Sequence, residues 1–534
     1  MKSRNSGCAY GRPYSLPPSR AFLVLSASRA ANVLIVATLS LAATDADAQH
    51  WTFESSLTAK ETVTNNVNLQ PSETRQSDWV TELSPLLRVT EKGTRTSLSG
   101  VVVVPVLLYA RTGRENNNVY PSADVLGDVK LIDDWLHVEG QVLIAQQYFS
   151  PFGGQPLGLD NATQNRYQSS TYRVSPYAKG TQGNVTYELR NNNVWTDLSN
   201  APVTTGNFHY TEFTGNASNT QSTIGWRAEF DINDTVVNDN VVGGGNTFRS
   251  RIVRLMPLYN VDPELRLAAT LGYEENRFPL DNSHGAVYGA GFEWHPTPRT
   301  NVVGSWEHRF FGPAYKFLFD HRTALSIWKI AVTRDISTYP QQLASLPAGG
   351  DVATLLNGLF LTTIPDPAQR QQAIDQFIRD RGLPSTLSSA VNLYSQQTLL
   401  QESQTATAGL IGTRNSILLT LFNVHSEPIT ASGAALPPLL VRGDNNRQTG
   451  VSLLWSYKMT PSLTFDATVE RFRTVANPPF EGTTNQSAAR LVLSAPISAR
   501  TTVFAGARYQ TLSSDVQVDY NETAAFAGIT YVFR

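Results

Sequence analysis

The sequence contains little cysteine, little charge and no long apolar run. Its one cysteine, Cys8, lies near the start of the 534 residues. If the N-terminus is cleaved off, the remaining chain must be held together without disulfides. Charged residues make up 16% of the chain, against about 25% in soluble domains. The longest apolar stretch, Gly100–Ala110, includes Pro105 and is much shorter than the ~20 residues of a membrane-spanning helix. These absences disfavour a soluble cytosolic protein and exclude an α-helical membrane protein.

The charges that are present nearly balance, at 42 Lys and Arg against 44 Asp and Glu. A nucleic-acid-binding protein would concentrate basic residues on one face, so we expect no nucleic-acid partner. Only seven lysines follow residue 48, which makes arginine the dominant cation of the remaining chain.

The N-terminus has the features of a secretory signal peptide. Basic residues precede an apolar stretch, Val33–Ala43, and small residues follow just before residue 49. We therefore predict a signal peptide over residues 1–48 and one mature domain over residues 49–534, the alternative being a buried core helix. Cys8 precedes the apolar stretch and would leave with the signal peptide.

Apolar and polar side chains alternate through the predicted mature domain. In Leu463–Val469 and Val503–Thr511 every second residue is apolar, and this period of two predicts strands with one apolar and one polar face. Many such stretches are long enough to cross a bilayer as tilted strands, although a soluble sandwich is an alternative. We predict an all-β fold, a single large antiparallel transmembrane β-barrel of about 20–22 strands in contact with bacterial outer-membrane lipid.

The connections between these strands alternate between short and long. Short turns marked by proline, such as Lys458–Ser462, alternate with long polar loops, such as Ser150–Asn165. This asymmetry is typical of outer-membrane barrels, whose short turns are periplasmic. The count of 22 strands requires that Phe208–Thr214 be a strand and that Tyr315–Ser337 break near Arg322, and otherwise it falls to 20.

One long connection breaks the period of two. Within Tyr339–Thr398, the stretch Asp366–Gly382 predicts a helix, because an aspartate can cap it, a proline follows, and glycine ends it. This predicted plug-loop helix has three apolar residues on one face, namely Ile374, Phe377 and Ile378. We expect the connection on the extracellular side, either as a cap or constriction of the lumen or as a helical cover of the rim.

Several stretches of the chain resemble one family of known proteins. They are, in order, Glu61-Thr62-Val63-Thr64-Asn65-Asn66-Val67, Ser175-Pro176-Tyr177, Leu271-Gly272-Tyr273-Glu274, Trp294-His295-Pro296-Thr297-Pro298-Arg299-Thr300, Arg309-Phe310-Phe311-Gly312, His321-Arg322-Thr323, Pro365-Asp366-Pro367-Ala368-Gln369-Arg370, Gly382-Leu383-Pro384 and Gly412-Thr413-Arg414-Asn415. The set is similar to outer-membrane β-barrel proteins associated with the PEP-CTERM/exosortase system. That resemblance implies an outer-membrane barrel working with polysaccharide and with components of an exopolysaccharide secretion system, and it carries no catalytic signature.

The charged residues on the polar faces are the candidate functional residues. A charge facing lipid at mid-depth costs ~2–4 kcal/mol for arginine, so we expect these side chains to face the lumen. They could form a path for a sugar polymer, or a ladder of ion pairs that only stiffens the barrel. The candidates are Glu139, Glu188, Arg190, Arg227, Glu229, Arg266, Glu274, Glu293, Glu307, Arg309, Asp466, Glu470, Arg490 and Arg508.

The sequence contains no recognisable catalytic or cofactor-binding motif. It has no HExxH, no GxSxG and no phosphate-binding loop, so we expect no enzyme activity, no metal and no cofactor. Loose calcium binding at Asp231-Ile232-Asn233-Asp234 is an alternative, as is a hydrolase assembled from distant strands.

We predict a conduit or accessory component for exopolysaccharide export or assembly. The other hypotheses are a porin-like diffusion channel for small solutes and a non-conducting scaffold barrel.

Overall fold

The computed structural model describes most of the chain after residue 49. The described residues are 50–200, 207–238, 246–278, 282–344, 351–361, 364–366, 369–371, 373–374, 390, 395, 398–429 and 443–533. The predicted signal peptide therefore lies outside the described residues, as do Phe377, Ile378 and the predicted end of the plug-loop helix.

Strands make up most of the described chain. They are β1 (His50–Thr64), β2 (Asp78–Lys92), β3 (Thr96–Val103), β4 (Val106–Tyr109), β5 (Asn118–Val119), β6 (Ser122–Ile132), β7 (Leu136–Tyr148), β8 (Arg166–Gln182), β9 (Val185–Ser199), β10 (Asn207–Asn219), β11 (Ile224–Asn238), β12 (Asn246–Asn260), β13 (Leu265–Arg277), β14 (Asn282–Thr297), β15 (Thr300–Arg309), β16 (Gly312–Arg322), β17 (Ser326–Ser337), β18 (Leu399–Ile411), β19 (Asn415–Pro428), β20 (Asn446–Thr460), β21 (Leu463–Ala476), β22 (Thr483–Ser498), β23 (Thr501–Ser514) and β24 (Tyr520–Phe533). Helices in the described residues include α1 (Gly113–Asn116), α2 (Tyr339–Ala344) and α3 (Asp351–Phe360).

These 24 segments form 22 barrel strands. Segments β3 and β4 both pair with β2 in one continuous register, and Pro105 separates them. Pro121 likewise separates β5 from β6. Proline has no N–H to donate to the ladder, so each break in pairing marks a proline within one strand and not a turn.

The sheet closes into a barrel. Every pairing among the described strands is between antiparallel neighbours, and β1 pairs with β24 from Ser55 opposite Phe533 to Thr64 opposite Ala524. Both uncertain pieces of the strand count are resolved, since Asn207–Asn219 is a strand and the chain turns between Arg322 and Ser326. The prediction of an antiparallel barrel of 20–22 strands is confirmed, at the upper end of that range.

The outer surface of the barrel is apolar and has aromatic residues toward its edges. Five outward aromatic residues are 37% to 54% exposed, namely Trp226, Tyr273, Trp294, Trp306 and Trp455. All nine tryptophans lie close to a strand end, which is where the interfaces of a bilayer meet a membrane barrel. The described helices include none with the length and hydropathy of a membrane span.

The two ends of the barrel differ. The connections after β2, β8, β14 and β22 have only a few residues, whereas those after β1, β7, β17 and β19 are long. His50 lies opposite Lys92 at the end that carries the short turns. We call these ends the short-turn end and the long-loop end.

Candidate functional site

The predicted lumen residues share the inner face of the barrel. Cross-strand partners point to the same side of a sheet, and the register pairs Arg266 with Glu293 and Arg490 with Arg508. Residues with the opposite parity, such as Leu271 and Leu491, are the exposed apolar ones. The same reasoning, applied strand by strand, places all fourteen predicted candidates on the inner wall.

A polar loop lies inside the barrel against this wall. We call the connection between β7 and β8, Ser150–Asn165, the strap. The sequence suggested an ordinary external loop, but the strap folds inward, follows β21, β22 and β23 in order, and then reaches the connection after β1. Its contacts are Thr474 Oγ1 donating to the Pro151 carbonyl (3.0 Å), Thr484 Oγ1 donating to the Phe152 carbonyl (3.3 Å), the Leu157 N–H donating to Gln510 Oε1 (3.3 Å) and the Ala162 N–H donating to the Val67 carbonyl (3.0 Å).

Buried ion pairs anchor the strap. The guanidinium of Arg508 donates to both carboxylate oxygens of Asp160, at 3.0 and 2.8 Å, and to Glu522 at 2.9 and 3.1 Å. Lys60 lies 3.8 Å from Asp160. Burial alone would raise the pKa of Asp160, but the charges of Arg508 and Lys60 outweigh it and hold that pKa well below its usual value. Asp160 is therefore ionised, and it fixes the strap to β23.

A second internal segment starts at the long-loop end. We call the connection between β17 and β18, residues 338–398, the plug segment. Its first helix, α2, begins two residues after β17, and there the Tyr339 hydroxyl hydrogen bonds the Tyr167 hydroxyl and the Tyr339 ring lies 5.5 Å from that of Phe208. Tyr167 and Phe208 are the second residues of β8 and β10, so the described start of the plug segment contacts the inner wall at the long-loop end.

The plug segment then reaches the short-turn end of the lumen. Helix α3 buries Val352, Leu355 and Leu356 against a cluster of wall residues, and Ile374 joins the same cluster. The wall residues come from β17 to β20 and point inward, namely Ile327, Ile411, Leu418 and Leu454. Since Ile327 is the second residue of β17 after a short turn, the apolar face of α3 lies deep inside the barrel.

The predicted plug-loop helix agrees with the structure where its residues are described. Asp366 caps it, because its carboxylate accepts a hydrogen bond from the Gln369 N–H at 2.8 Å. Residues 369–371 and 373–374 are helical. The predicted positions of Phe377 and Ile378 stay predictions.

The inner wall from β7 to β15 carries paired charges. Arg254 holds Glu307 through three hydrogen bonds of 3.0 to 3.1 Å. Arg266 and Arg227 share Glu293, at 2.7 and 3.2 Å. These side chains are only partly buried, so they present hydrogen-bonding groups to the lumen. We call this surface the charge ladder.

The charge ladder continues on the neighbouring strands β7 to β9. Glu139 accepts from Arg173 at 2.8 Å and lies 3.5 Å from Arg190, whose Nε donates to Glu188 at 3.1 Å. The Arg190 guanidinium also lies over the ring of Tyr177, 4.1 Å from its centre. On β11, Glu229 lies 4.0 Å from Arg227.

Other predicted candidates lie outside the ladder. Asp466 is buried, Glu470 accepts from the Ser452 hydroxyl at 3.5 Å, and the Arg490 guanidinium lies 4.9 Å from the ring centre of Phe526. Arg508 is sealed beneath the strap. The inner wall is thus divided between an accessible ladder and a covered region.

Sequence reasoning missed two members of the ladder, Arg173 and Arg254. Arg254 points to the opposite side of β12 from Arg249 and Arg251, which are outward. The inward residue before it on the same face, Ile252, is apolar. The side of Arg254 was therefore ambiguous from alternation alone. With these two added, the named residues are eight acidic and eight basic, and the carboxylates Glu212 and Asp231 also point inward on β10 and β11.

Arg309 and Glu274 form a separate, fully buried pair near the long-loop end. Glu274 accepts from Arg309 at 2.9 and 3.1 Å and from the Phe310 N–H at 2.7 Å. Arg309 also contacts Asp335 at 2.6 Å. These bonds join β13 to β15 and to β17.

We expect Glu274→Ala to lower the free energy of unfolding by about 3 kcal/mol, because it leaves the Arg309 guanidinium and the Phe310 N–H buried without that partner. Urea unfolding followed by tryptophan fluorescence measures this loss. Glu275→Ala is the matched control, since Glu275 points outward and its pair with Arg277 is exposed. Equal losses in both variants would contradict the assignment.

A cavity of about 570 Å³ opens at the short-turn end beside α3. Its walls include Asn301, Asp320 and Lys329 from the inner face and Gly358 from α3. The cavity therefore places polar space next to the plug segment. Within the described ranges, no group of three or more His, Cys, Asp or Glu side chains is arranged to hold a metal ion.

No family model matches the chain, and no curated protein matches it. Several solved structures are similar to it. The siderophore receptor PirA from Acinetobacter baumannii is 8% identical, with 90% of this chain and 81% of that chain covered and a TM-score of 0.45. The outer membrane protein opdK from Pseudomonas aeruginosa is 9% identical, with 90% and 99% covered and a TM-score of 0.33. A BenF-like porin from Pseudomonas fluorescens Pf-5 is 8% identical, with 90% and 99% covered and a TM-score of 0.35.

Proposed function

We propose that this protein is a gated conduit, or an accessory component, for exopolysaccharide export or assembly in the bacterial outer membrane, and that it performs no covalent chemistry. The observation that carries the proposal is the charge ladder beside two internal segments. A closed barrel with an apolar outer face and a polar interior is typical of proteins that span the bacterial outer membrane. In this placement the long loops are extracellular.

The charge ladder suits a polyhydroxylated chain that carries little net charge. Its arginines are paired with carboxylates, so the wall presents charges of both signs. Its guanidinium and carboxylate groups still offer donors and acceptors to passing hydroxyl groups. A sugar that exchanges water for such partners gains little net free energy, which allows it to move along the wall without being trapped.

The internal segments provide the gating part of the proposal. The plug segment is held by an apolar patch on one side and by a few aromatic and polar contacts on the other. The strap is held by polar contacts and buried ion pairs. A large lumen that is filled in this way passes a polymer only when a segment moves, and a secretion partner on the periplasmic side would supply that change.

The test is the location of polymer in a strain that lacks this protein. We expect polymer to be retained in the periplasm and the cell surface to be bare, with export restored by the wild-type gene. Surface and periplasmic polymer should be measured separately by a carbohydrate assay. Normal amounts in both places would contradict the export function and favour a diffusion channel for small solutes.

A further inference from the structure

The outer face of the barrel carries a group of arginines near the long-loop end. We call Arg447, Arg471 and Arg473 the arginine patch. Arg447 lies on β20 and the other two on β21, and all three are exposed. They point to the same side of the sheet as Val451 and Val469, which belong to the apolar outer surface.

The register brings the three side chains together. Arg473 pairs with Thr449, Arg471 pairs with Val451, and Arg447 lies one step further along β20. Diagonal neighbours on adjacent strands are about 7–8 Å apart, a spacing that long arginine side chains can close around one group. On β22, Asn485 and Ser487 lie directly opposite Arg473 and Arg471, and they add further polar side chains.

The arginine patch has no ion-pair partner among the described residues. The nearest carboxylate in register, Glu427, contacts His425 at 3.9 Å instead. The outward arginines of β12 and β13 differ, since Arg249 pairs with Asp234 and Arg277 with Glu275. Clustered like charges repel one another, so an anion from outside the chain would stabilise the patch.

The position of the patch identifies the chemistry of that anion. Arg471 directly follows the apolar outer residue Val469 along its strand face, at the level where tilted strands leave the hydrocarbon. Anions at this level of an extracellular leaflet are lipid headgroups, and guanidinium groups bind phosphate oxygens in a bidentate manner. We propose that the arginine patch binds the phosphate groups of a phosphorylated glycolipid in the outer leaflet. This inference rests on the outer-membrane placement above but not on polymer export.

Binding of bisphosphorylated lipid A to the purified barrel in detergent tests the proposal. We expect the variant with Arg447, Arg471 and Arg473 all changed to Gln to bind this lipid roughly tenfold to a hundredfold more weakly than the wild type. The matched control changes Arg249, Arg251 and Arg277 to Gln, which removes three outward arginines from other strands, and it should bind like the wild type. Heat-dependent migration on gels confirms that both variants are folded.

Two further probes identify the source of the phosphate. The dephosphorylated lipid should bind the wild type as weakly as it binds the patch variant, and inorganic phosphate should not compete at matched concentration. Equal lipid binding by the patch variant and the wild type would overturn the proposal, as would equal binding of dephosphorylated lipid or effective competition by inorganic phosphate. A strain carrying the patch variant should still export polymer, so failure of this proposal is distinguishable from failure of the export function.

Discussion

Replacing residues 340–397 by a short Gly-Ser linker is expected to turn a poorly conducting barrel into an open pore. Strands spaced ~4.8 Å apart and tilted by about 40° give a 22-strand barrel a diameter of about 40 Å. Barrels of this size enclose a channel unless something fills it. The described plug segment contacts β8 and β10 at the long-loop end and β17 to β20 near the short-turn end, so its removal leaves only the strap inside the lumen.

Single-channel recording in planar bilayers measures this effect. We expect conductance to rise roughly tenfold or more. Ions cross the barrel only through water, and the plug segment now fills space that water would otherwise occupy. A deletion this large could disturb folding, and a point variant avoids that problem. Leu356→Glu places a carboxylate in the fully buried cluster beneath α3, which detaches the helix from the wall and raises conductance.

Leu361→Glu is the matched control for the point variant. Leu361 follows α3 directly and is 42% exposed, so the same change there should leave conductance unchanged. If the deletion and Leu356→Glu both conduct like the wild type, the plug segment does not close the lumen and the gating part of the proposed function is wrong.

Arg508→Met is expected to have the second-largest effect, a loss of about 3–5 kcal/mol in the free energy of unfolding. It leaves the carboxylates of Asp160 and Glu522 buried without the guanidinium that neutralises them. Arg490→Met is the matched control. It changes the cross-strand neighbour on the same wall, which contacts the ring of Phe526.

Release of the strap can be measured separately from global unfolding. The predicted mature chain contains no cysteine, so Pro156→Cys, at a buried position in the strap, introduces a unique thiol. Its reaction with a soluble maleimide should be faster in the Arg508→Met background than in the Arg490→Met background. The same rate in both would show that Arg508 does not hold the strap.

The pH dependence of this anchor follows from the pKa of Asp160. The folded-state pKa lies below the unfolded value, which is about 3.9. The contribution of Asp160 to stability is therefore complete above the unfolded pKa and is lost only as the pH falls through the lower folded value. The maleimide reaction rate of Pro156→Cys, divided by that of a free thiol at the same pH, should therefore not change between neutral and mildly acidic solution.

Local patterns in the chain predicted the barrel because strand geometry is local. A side-chain period of two identifies a strand and assigns each residue to a face, and lipid makes the penalty for a misplaced charge large. The same logic placed Arg266 and Glu293 on one wall. Asp366 was predicted as a helix cap for a similar reason, since capping involves only neighbouring residues.

Only the tertiary structure decided what fills the lumen. A polar loop such as Ser150–Asn165 has the same composition whether it faces bulk water or a wet polar interior, so no local pattern distinguishes the two. The partners of Asp160 are also distant, since Arg508 lies 348 residues away and the closure of β1 on β24 brings Lys60 beside it. The chain by itself therefore determined the strands and the faces of most of their residues. Barrel closure determined which arginine meets which carboxylate and which loops turn inward, because both depend on contacts between residues that are far apart in sequence.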